Sequence, residues 1–454
     1  MRSLRTPLER LRGVDKVLAD EFTEISQALE LVITTTGIGD VMQTPAGTDD
    51  DGLAIGRKDP FSRDIAEKRR LSEQLEKVVL RIQALPKFEN FMRPVPFRDL
   101  RMAAMAGPVV IINLSTHHSD ILIVSSSLQV IHVPTPTNFF DRVTKLAHQL
   151  SETRKNHRLE SRTYDRVLRQ TLEELYELVG QPVANKLTEL GIPEQSRIWL
   201  CPTSLLTSLP IHAAGPIPSD SRVKRYLGDI YVCSYTPSLS AMIASRSDTL
   251  PGSARGHPSL LLVGQPDESL PGVDSETRSI VSLVGSDSVT SISGKAATPE
   301  NVIACLPTHT WVHFACHGML KPGRPFESSF LLQRNSYLSL LRIAKAHLPM
   351  AELAFLAACH TAELTEGDTP DEVLHLTAAM QFSGFRSVIG TMWAMVDEDG
   401  QDLSEYFYRN MFAAGAQGAS YEQSASALRH AVQKLRKEKR VSLERWVNFV
   451  HYGA

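Results

Sequence analysis

The sequence has no long apolar run and no excess of charge of either sign. None of its apolar stretches reaches the roughly 18–20 residues that cross a bilayer. Its 48 Lys and Arg residues nearly balance 51 Asp and Glu residues, which gives a formal net charge of -3. This balance provides no general attraction to nucleic acid or to an anionic membrane, so we expect neither as a partner. Residues 1–31 are charged throughout and lack the apolar core of a signal peptide. This predicts a cytosolic or nuclear protein, and of the two we expect a cytoplasmic one.

Cysteine is also scarce, and its distribution excludes a secreted disulfide framework. The cysteines are odd in number and scattered, which is typical of a reducing compartment. They are Cys201, Cys233, Cys305, Cys316 and Cys359. A zinc site built from His313, His317 and Cys359 is the alternative that the residue types allow. Because the paired Cys-x-x-Cys knuckles are absent, we expect no metal and no other cofactor. The pattern G-x-x-x-x-G-K-[ST] is absent too, which argues against an NTPase.

A chain of 454 residues exceeds what one hydrophobic core supports, and its first part is predicted to be helical. Over residues 1–97, apolar residues recur at three- and four-residue spacing within 8–32 and again within 62–85. In the first of these helices they are Leu8, Leu11, Val14, Val17, Leu18 and Phe22. The stretch 35–56 loses the periodicity and carries consecutive aspartates, so we predict a mobile loop there.

From residue 108 onward, short apolar runs alternate with helical stretches. Such alternation predicts an α/β fold with a mainly parallel, buried sheet flanked by helices. A Ser/Pro/Gly-rich stretch at 245–258 separates two patterns of this kind, so we predict two regions, 98–252 and 253–454. The predicted strands are 109–112, 121–124, 129–133, 197–200, 229–235, 259–263, 289–292, 310–315, 353–358 and 387–391, and the predicted helices are 138–190, 276–284, 298–306 and 373–383.

Two of the predicted strands are followed directly by cysteine and histidine. One leads into Cys316-His317-Gly318 and the other into Cys359-His360-Thr361. Reacting groups gather at the carboxyl ends of parallel strands, and a thiol needs a base such as imidazole to form the thiolate. His317 and Cys359 are 42 residues apart, a distance that suits neighbouring strand ends. The alternative is chance, because Cys and His are common near strand ends.

The residues around these strand ends resemble a known family. The segments Val312–Gly318 and Ala354–Thr361 resemble the CHAT domain, the caspase-like peptidase domain found with tetratricopeptide repeats and allied to separase and gingipain. Three further segments share the resemblance, which spans roughly residues 98–454 and is especially close to fungal members. They are Leu270–Gly272, Leu209–Gly215 and Gly384–Trp393.

The resemblance implies a caspase-like fold in which an inactive half, residues 98–252, precedes an active half, residues 253–454. It assigns the general base to His317 and the nucleophile to Cys359. It assigns the oxyanion donors to the main-chain N–H groups of Gly318 and Cys359. The sequence departs from the family pattern at Ala357, where a serine is usual, and at His360, where a glutamine is usual.

The expected function is therefore that of a cysteine endopeptidase acting on a protein substrate. Separase-like relatives carry an acidic residue near the position of Asp397, which implies cleavage after a basic residue. Asp397 is the first candidate for this carboxylate and Asp371 the second, and the alternative for each is an acidic residue at the start of a helix. The relatives also imply a regulatory protein partner, or gating by residues 1–97. The rival hypothesis is a silent scaffold, which the departures at Ala357 and His360 favour.

Overall fold

The computed structural model describes most of the chain in two compact units, Met1–Pro96 and Phe97–Ala454. The described residues are 8, 11–36, 60–89, 91–127, 129–157, 160–216, 225–246, 257–265, 270–319, 321, 325–346, 348, 350–357 and 376–454. No helix within these ranges is long and apolar enough to cross a membrane.

The first unit is a pair of packed helices, α1 (Lys16–Thr36) and α2 (Pro60–Gln83). Its core is formed by one face of each helix and by the segments that precede α1 and follow α2: Leu11, Leu18, Ala19, Phe22, Val78, Ile82, Phe88 and Phe91. The predicted apolar stripe was wrong at Val14 and Val17, which are 64% and 76% exposed. Val17 lies about 100° around the helix from Leu18 and so points away from α2. The predicted loop at 35–56 falls largely outside the described residues.

The second unit is built on one large sheet and a small one. Its strands are β1 (Val109–Asn113), β2 (Asp120–Val124), β3 (Val130–Val133), β4 (Arg197–Pro202), β5 (Val232–Tyr235), β6 (Leu260–Gly264), β7 (Val289–Ser293), β8 (Trp311–Ala315), β9 (His317–Met319), β10 (Ser329–Leu332), β11 (Ser336–Ser339), β12 (Leu353–Ala357), β13 (Ser387–Thr391) and β14 (Phe449–Gly453). Eleven of them form the large sheet in the order β3-β2-β1-β4-β5-β14-β13-β12-β8-β6-β7, and β11-β10-β9 form the small one.

Among the described strands, most pairings in the large sheet are parallel, which confirms the predicted fold class. The antiparallel pairings are β1 with β2, β2 with β3 and β13 with β14. Since β14 runs parallel to β5 but antiparallel to β13, strands β1, β4 and β5 point opposite to β6, β8, β12 and β13. The carboxyl ends of the downstream strands therefore share one edge of the sheet.

Helices pack against the sheet, and most interior residues belong to one core that extends across both predicted α/β regions. The helices are α3 (Phe97–Leu100), α4 (Phe139–Asn156), α5 (Arg162–Leu175), α6 (Gln181–Glu189), α7 (Leu227–Ile230), α8 (Leu239–Arg246), α9 (Val273–Val284), α10 (Pro299–Cys305), α11 (Leu340–Lys345), α12 (Leu376–Ser383), α13 (Asp397–Met411), α14 (Ser424–Lys434) and α15 (Leu443–Trp446). Single π-helical turns continue α5 and α14 at Tyr176–Gly180 and Leu435–Lys439. Short 3-10 turns lie at Arg101–Ala104, Ser204–Ser208, Ile211–Ala213, Ser286–Ser288, Gly294–Ala296, Leu306–Thr308, Pro325–Glu327, Gln333–Asn335, Ala416–Gly418 and Tyr421–Gln423.

Three predictions of local structure were wrong. The helix predicted over 138–190 is interrupted before α5, where the hydroxyl of Ser161 accepts a hydrogen bond from the N–H of Tyr164 and starts a new helix. The first residues of the strand predicted at 229–235 belong to α7. The connection between Ala315 and Leu353, predicted to be irregular, contains β9, β10 and β11.

The last strand joins the two predicted α/β regions, although no strand was predicted there. β14 lies between β5 and β13, and the indole Nε1 of Trp199 on β4 donates a hydrogen bond to the carbonyl of Gly453 at 2.8 Å. Gly453 has a φ of +97°, and a Cβ there would lie 2.2 Å from the carbonyl oxygen of Arg386. Only glycine fits this position without displacing backbone.

Candidate active site

The predicted base lies where the chain passes from the large sheet to the small one. β8 ends at Ala315, Cys316 is fully buried, and His317 begins β9 with a half-buried side chain. Strand β9 pairs antiparallel with β10, so that His317 lies opposite Leu331 and Gly318 opposite Phe330. His317 and Gly318 therefore sit on a paired strand rather than on an irregular loop.

The segment that leads to the predicted nucleophile starts beside this point. β12 is the sheet neighbour of β8, and Ala357, the last residue of β12, is the Cα partner of Ala315. The two strands that precede the predicted dyad are therefore adjacent and end at the same level. Cys359 lies outside the described residues, as do His360 and Asp371.

Gly318, the predicted oxyanion donor, is buried. Its cross-strand neighbour Phe330 stacks on Phe314 of β8, with ring centroids 4.1 Å apart and planes 1° from parallel. This stack fixes the small sheet against the large one. The main chain at Gly318 is thus held by packing on both sides of the β8–β9 junction.

Asp397, the first candidate for binding a basic side chain, is the first residue of α13 and is half-buried. Its Oδ2 accepts a hydrogen bond from the main-chain N–H of Gly272 at 2.9 Å. A Cβ at position 272 would lie 2.7 Å from the same oxygen, so the contact depends on glycine. Asp397 is therefore held by a specific main-chain donor, and it also begins a helix, as the alternative predicted.

The loop that carries Gly272 packs on the end of β8. Leu270 and Val273, which flank Pro271 and Gly272, form a small buried cluster with Ala315. An unbroken series of contacts thus runs from Asp397 through Gly272 and its neighbours to Ala315. Ala315 lies two residues before His317. Asp397 and His317 are consequently anchored to the same end of the same strand.

His313 on β8 makes buried contacts that the sequence did not predict. Its Nδ1 lies 3.2 Å from the hydroxyl of Tyr408, and its Nε2 lies 3.1 Å from Oε1 of Glu276. Its ring also stacks on Phe355, with centroids 4.8 Å apart. Both ring nitrogens thus face protein side chains. Among the described residues no group of three or more His, Cys, Asp or Glu side chains is arranged to hold a metal ion.

The described cysteines have the surroundings of structural thiols. Burial raises the pKa of Cys201 to about 12, and burial likewise raises the pKa of Cys233 to about 12. A thiol with so high a pKa carries almost no thiolate near neutral pH and is a poor nucleophile. Cys316 is fully buried, and Cys305 packs half-buried against the core.

Sequence reasoning also missed two residues that organise the region around Asp397. Gly272 was noted only as part of the Leu270–Gly272 resemblance, and that motif was the signal that could have pointed to it. Arg445 on α15 donates two hydrogen bonds of 2.8 Å to the buried carboxylate of Asp399, in the first turn of α13. No local pattern in the sequence indicates this pairing.

The basic run at 434–440, which follows the apolar face of α14, is engaged in ion pairs. Its members contact acidic side chains at 2.6–2.8 Å: Lys434 with Glu438, Arg436 with Asp229, and Lys439 with Asp402. These pairs involve three of the five basic residues of the run.

Comparisons with known proteins give a family match and distant structural matches. A family model described as the CHAT domain matches residues 169–454. No curated protein matches the chain. A separase–securin complex of Saccharomyces cerevisiae is 11% identical, with a TM-score of 0.49, over 86% of this chain and 34% of that one. The chain thus spans about a third of that separase chain.

Two structures of gingipain are also similar to the chain. The Arg-specific cysteine proteinase gingipain R is 10% identical, with a TM-score of 0.38, over 69% of this chain and 74% of that one. The complex of the RgpB pro- and mature domains from Porphyromonas gingivalis is 10% identical, with a TM-score of 0.34, over 70% and 77% of the two chains.

Proposed function

Because the chain belongs to the CHAT domain family, whose model matches residues 169–454, we propose that it is a cysteine endopeptidase with a His317/Cys359 dyad. Membership in this family confirms the resemblance inferred from the segments around His317 and Cys359. It also supports the caspase-like character of the α/β fold. The peptidase activity, the dyad and the substrate preference are the proposal.

The register between β8 and β12 is the observation that carries the proposal. Ala315 and Ala357 are Cα partners, so β8 and β12 end at the same level on one edge of the sheet. His317 lies two residues after the first and Cys359 two residues after the second. We propose that the side chains of His317 and Cys359 meet, because two residues of chain reach at most about 7 Å from these paired positions.

In the proposed mechanism the imidazole of His317 accepts the proton from the thiol of Cys359. The resulting thiolate attacks the carbonyl carbon of the scissile peptide bond and forms a tetrahedral oxyanion. The N–H groups of Gly318 and Cys359 donate hydrogen bonds to that oxyanion. The protonated imidazole then gives its proton to the leaving amine, and water hydrolyses the thioester to release the second product and restore the thiol.

We further propose that Asp397 binds a lysine or arginine side chain of the substrate before the scissile bond, with Asp371 as the second candidate. The hydrogen bond from Gly272 to Oδ2 supports Asp397, because it orients the carboxylate without neutralising its charge. An ion pair with a substrate cation would be charge-assisted and, for arginine, bidentate.

A regulatory protein partner, or the helical residues 1–97, is proposed to gate this activity. The first unit has its own core and the second unit has another, so each forms a separable body. A chain that begins at Phe97 should therefore fold, and its peptidase rate relative to the full chain tests gating. Equal rates with and without residues 1–96 would exclude the first unit as the gate.

A positional-scanning peptide library tests the proposed function. The native protein should cleave after Lys or Arg, and Cys359→Ala should abolish all cleavage. Asp397→Ala should remove the basic preference. Glu398→Ala is the matched control, because its side chain is 85% exposed and carries the same charge one residue further along.

The rival hypothesis is a scaffold that keeps the fold but has lost turnover, as the departures at Ala357 and His360 favour. The absence of cleavage by the native protein, together with the absence of Cys359 labelling by a thiol-reactive peptide, would contradict the proposal and support the scaffold. A basic preference that persists in Asp397→Ala but not in Asp371→Ala would move the specificity role to the second candidate.

A further inference from the structure

The first turn of α13 is held by a buried ion pair that the proposed mechanism does not use. The carboxylate of Asp399 is 1% exposed and receives two hydrogen bonds of 2.8 Å from the guanidinium of Arg445, one to each oxygen. Burial raises the pKa of Asp399, and the hydrogen bonds from Arg445 oppose that rise. A bidentate pair of this kind fixes orientation as well as distance, because the planar guanidinium matches the carboxylate.

Arg445 also connects α13 to the upstream half of the fold. Its Nη1 lies 3.3 Å from the carboxylate of Glu160, in the turn between α4 and α5. The main-chain N–H of Glu160 donates a hydrogen bond of 2.8 Å to the buried side chain of Glu444, the neighbour of Arg445. Helix α15 is therefore clamped between Glu160 on one side and Asp399 on the other.

The geometry of α13 relates this clamp to Asp397. Residues two apart on an α-helix point about 200° away from each other. Asp399 thus faces α15 from one side of the first turn, while Asp397 meets the Gly272 N–H on the other side. Little more than half a turn of backbone joins the two residues, so a displacement of Asp399 moves Asp397 with it.

Arg445 also offsets negative charge in the first turn of α13. Asp397, Glu398 and Asp399 are consecutive acids in the first turn of α13. Arg445 brings a positive charge to this turn, since it lies 3.9 Å from Glu398 as well as beside Asp399. Without it, repulsion among three carboxylates would favour opening of the turn.

We infer that Asp399 and Arg445 are positioning residues that hold Asp397 in place to receive a basic substrate side chain, and that Glu160 ties this clamp to the upstream half. The inference rests on the proposed function for its meaning in catalysis. Its mechanical part, the dependence of the Asp397–Gly272 contact on Arg445, stands without any peptidase activity.

Amide hydrogen exchange at Gly272 tests the mechanical part in the full chain. The Gly272 N–H is protected by Asp397, so opening of the clamp exposes it. Arg445→Gln should accelerate its exchange by about tenfold or more, and Asp397→Ala should give the upper limit of that acceleration. Arg436→Gln is the matched control, because Arg436 makes a 2.7 Å pair with Asp229 elsewhere on the C-terminal segment.

A second variant distinguishes loss of the Asp399–Arg445 pair from unfolding of the protein. Arg445→Gln leaves a buried carboxylate without its partner, whereas the double variant Asp399→Asn/Arg445→Gln removes both charges of the pair. Both variants should show the accelerated exchange. Unchanged Gly272 exchange in a folded double variant would overturn the inference.

The catalytic part is read from substrate preference. If the native protein cleaves after basic residues, the Arg445 variants should lose about tenfold in the ratio of kcat/KM for a basic over a neutral residue before the cut. A merely structural loss would lower both rates equally and leave the ratio unchanged, which would overturn the catalytic part. If Gly272 exchange is accelerated in the Arg445 variants but the native protein has no peptidase activity, the mechanical part of the inference holds and only the proposed function is refuted.

Discussion

The ring centroids of Phe314 and Phe330 lie 4.1 Å apart and the ring planes are within 1° of parallel. This stack joins strand β8 of the large sheet to strand β10 of the small sheet, next to the candidate site. Phe314 belongs to β8, three residues before His317, and Phe330 is the cross-strand neighbour of Gly318. Both side chains are fully buried. This aromatic contact thus supports the position of the proposed base and of Gly318, together with the pairing of β9 and β10.

Phe330→Ala is expected to destabilise the second unit by about 3–5 kcal/mol, because it leaves a cavity between the sheets. It should also slow modification of Cys359 by a peptide probe under conditions where the protein stays folded, since Gly318 and His317 lose their support. Unfolding can be followed by tryptophan fluorescence, because Trp199, Trp311, Trp393 and Trp446 all lie in the second unit.

Phe139→Ala, in the upstream half, is the control for this substitution, because Phe139 is 1% exposed. It should lower stability by a comparable amount and leave the labelling rate of the folded protein unchanged. Equal labelling rates in the folded forms of both variants would argue that the stack does not position the site.

Gly272→Ala should weaken the preference for a basic residue without unfolding the protein. Gly272 has φ -72° and ψ -20°, which alanine adopts readily, but the new Cβ would lie 2.7 Å from Oδ2 of Asp397. The carboxylate must therefore shift. The measurement is the kcat/KM ratio for basic over neutral substrates, with Gly13→Ala as a control at a position that has open space for a Cβ.

A shift of preference in Gly272→Ala with an unchanged melting temperature would support Asp397 as the binding carboxylate. An unchanged preference would remove the main reason for choosing Asp397 over Asp371.

Stability of the second unit should fall as the pH drops below about 6.5. Burial lowers the pKa of His212 to about 4, so the unfolded chain binds a proton at this residue before the folded chain does. A histidine whose folded pKa is depressed stabilises the fold fully above the unfolded pKa, and that contribution is lost as the pH falls toward the folded pKa. Between about pH 7.5 and about pH 5 the loss from His212 is about 2 kcal/mol.

The pH prediction is measured by urea unfolding in the native protein and in His212→Gln. His212 contacts the hydroxyl of Tyr235 through its Nδ1 at 2.9 Å, so the variant should be less stable at neutral pH. Its stability should nevertheless depend less on pH. A variant whose stability falls as steeply as that of the native protein would show that His212 does not cause the acid sensitivity. Buried His451, whose pKa is also lowered by burial, adds a loss in the same direction.

The parallel strands could be predicted because each is a short apolar run between polar segments. β6, β8, β12 and β13 each match a predicted strand closely, since strands buried on both faces are rich in apolar residues. Their carboxyl ends directed attention to His317 and Cys359 before any fold was known. The adjacency of β8 and β12 agrees with that reasoning, while the dyad itself stays a prediction.

The strands that were missed lack this local signature. β9 consists of His317, Gly318 and Met319 and becomes a strand only by pairing with β10. β14 is separated by more than two hundred residues from its neighbour β5, so its place at the centre of the sheet is set by long-range pairing. For the same reason no pattern indicated that Arg445 would reach Asp399. Contacts between distant segments leave no periodicity in either one.

The central claim is that His317 activates Cys359, and the pH dependence of Cys359 alkylation tests it most directly. With mass spectrometry to assign the modified residue, the native protein should react at Cys359 with an inflection below the usual thiol value of about 8.5. His317→Ala should slow this reaction at neutral pH by about tenfold or more and move the inflection upward. His360→Ala, which removes the adjacent imidazole, should retain most of the native rate. Identical profiles for the native protein and His317→Ala would contradict the account.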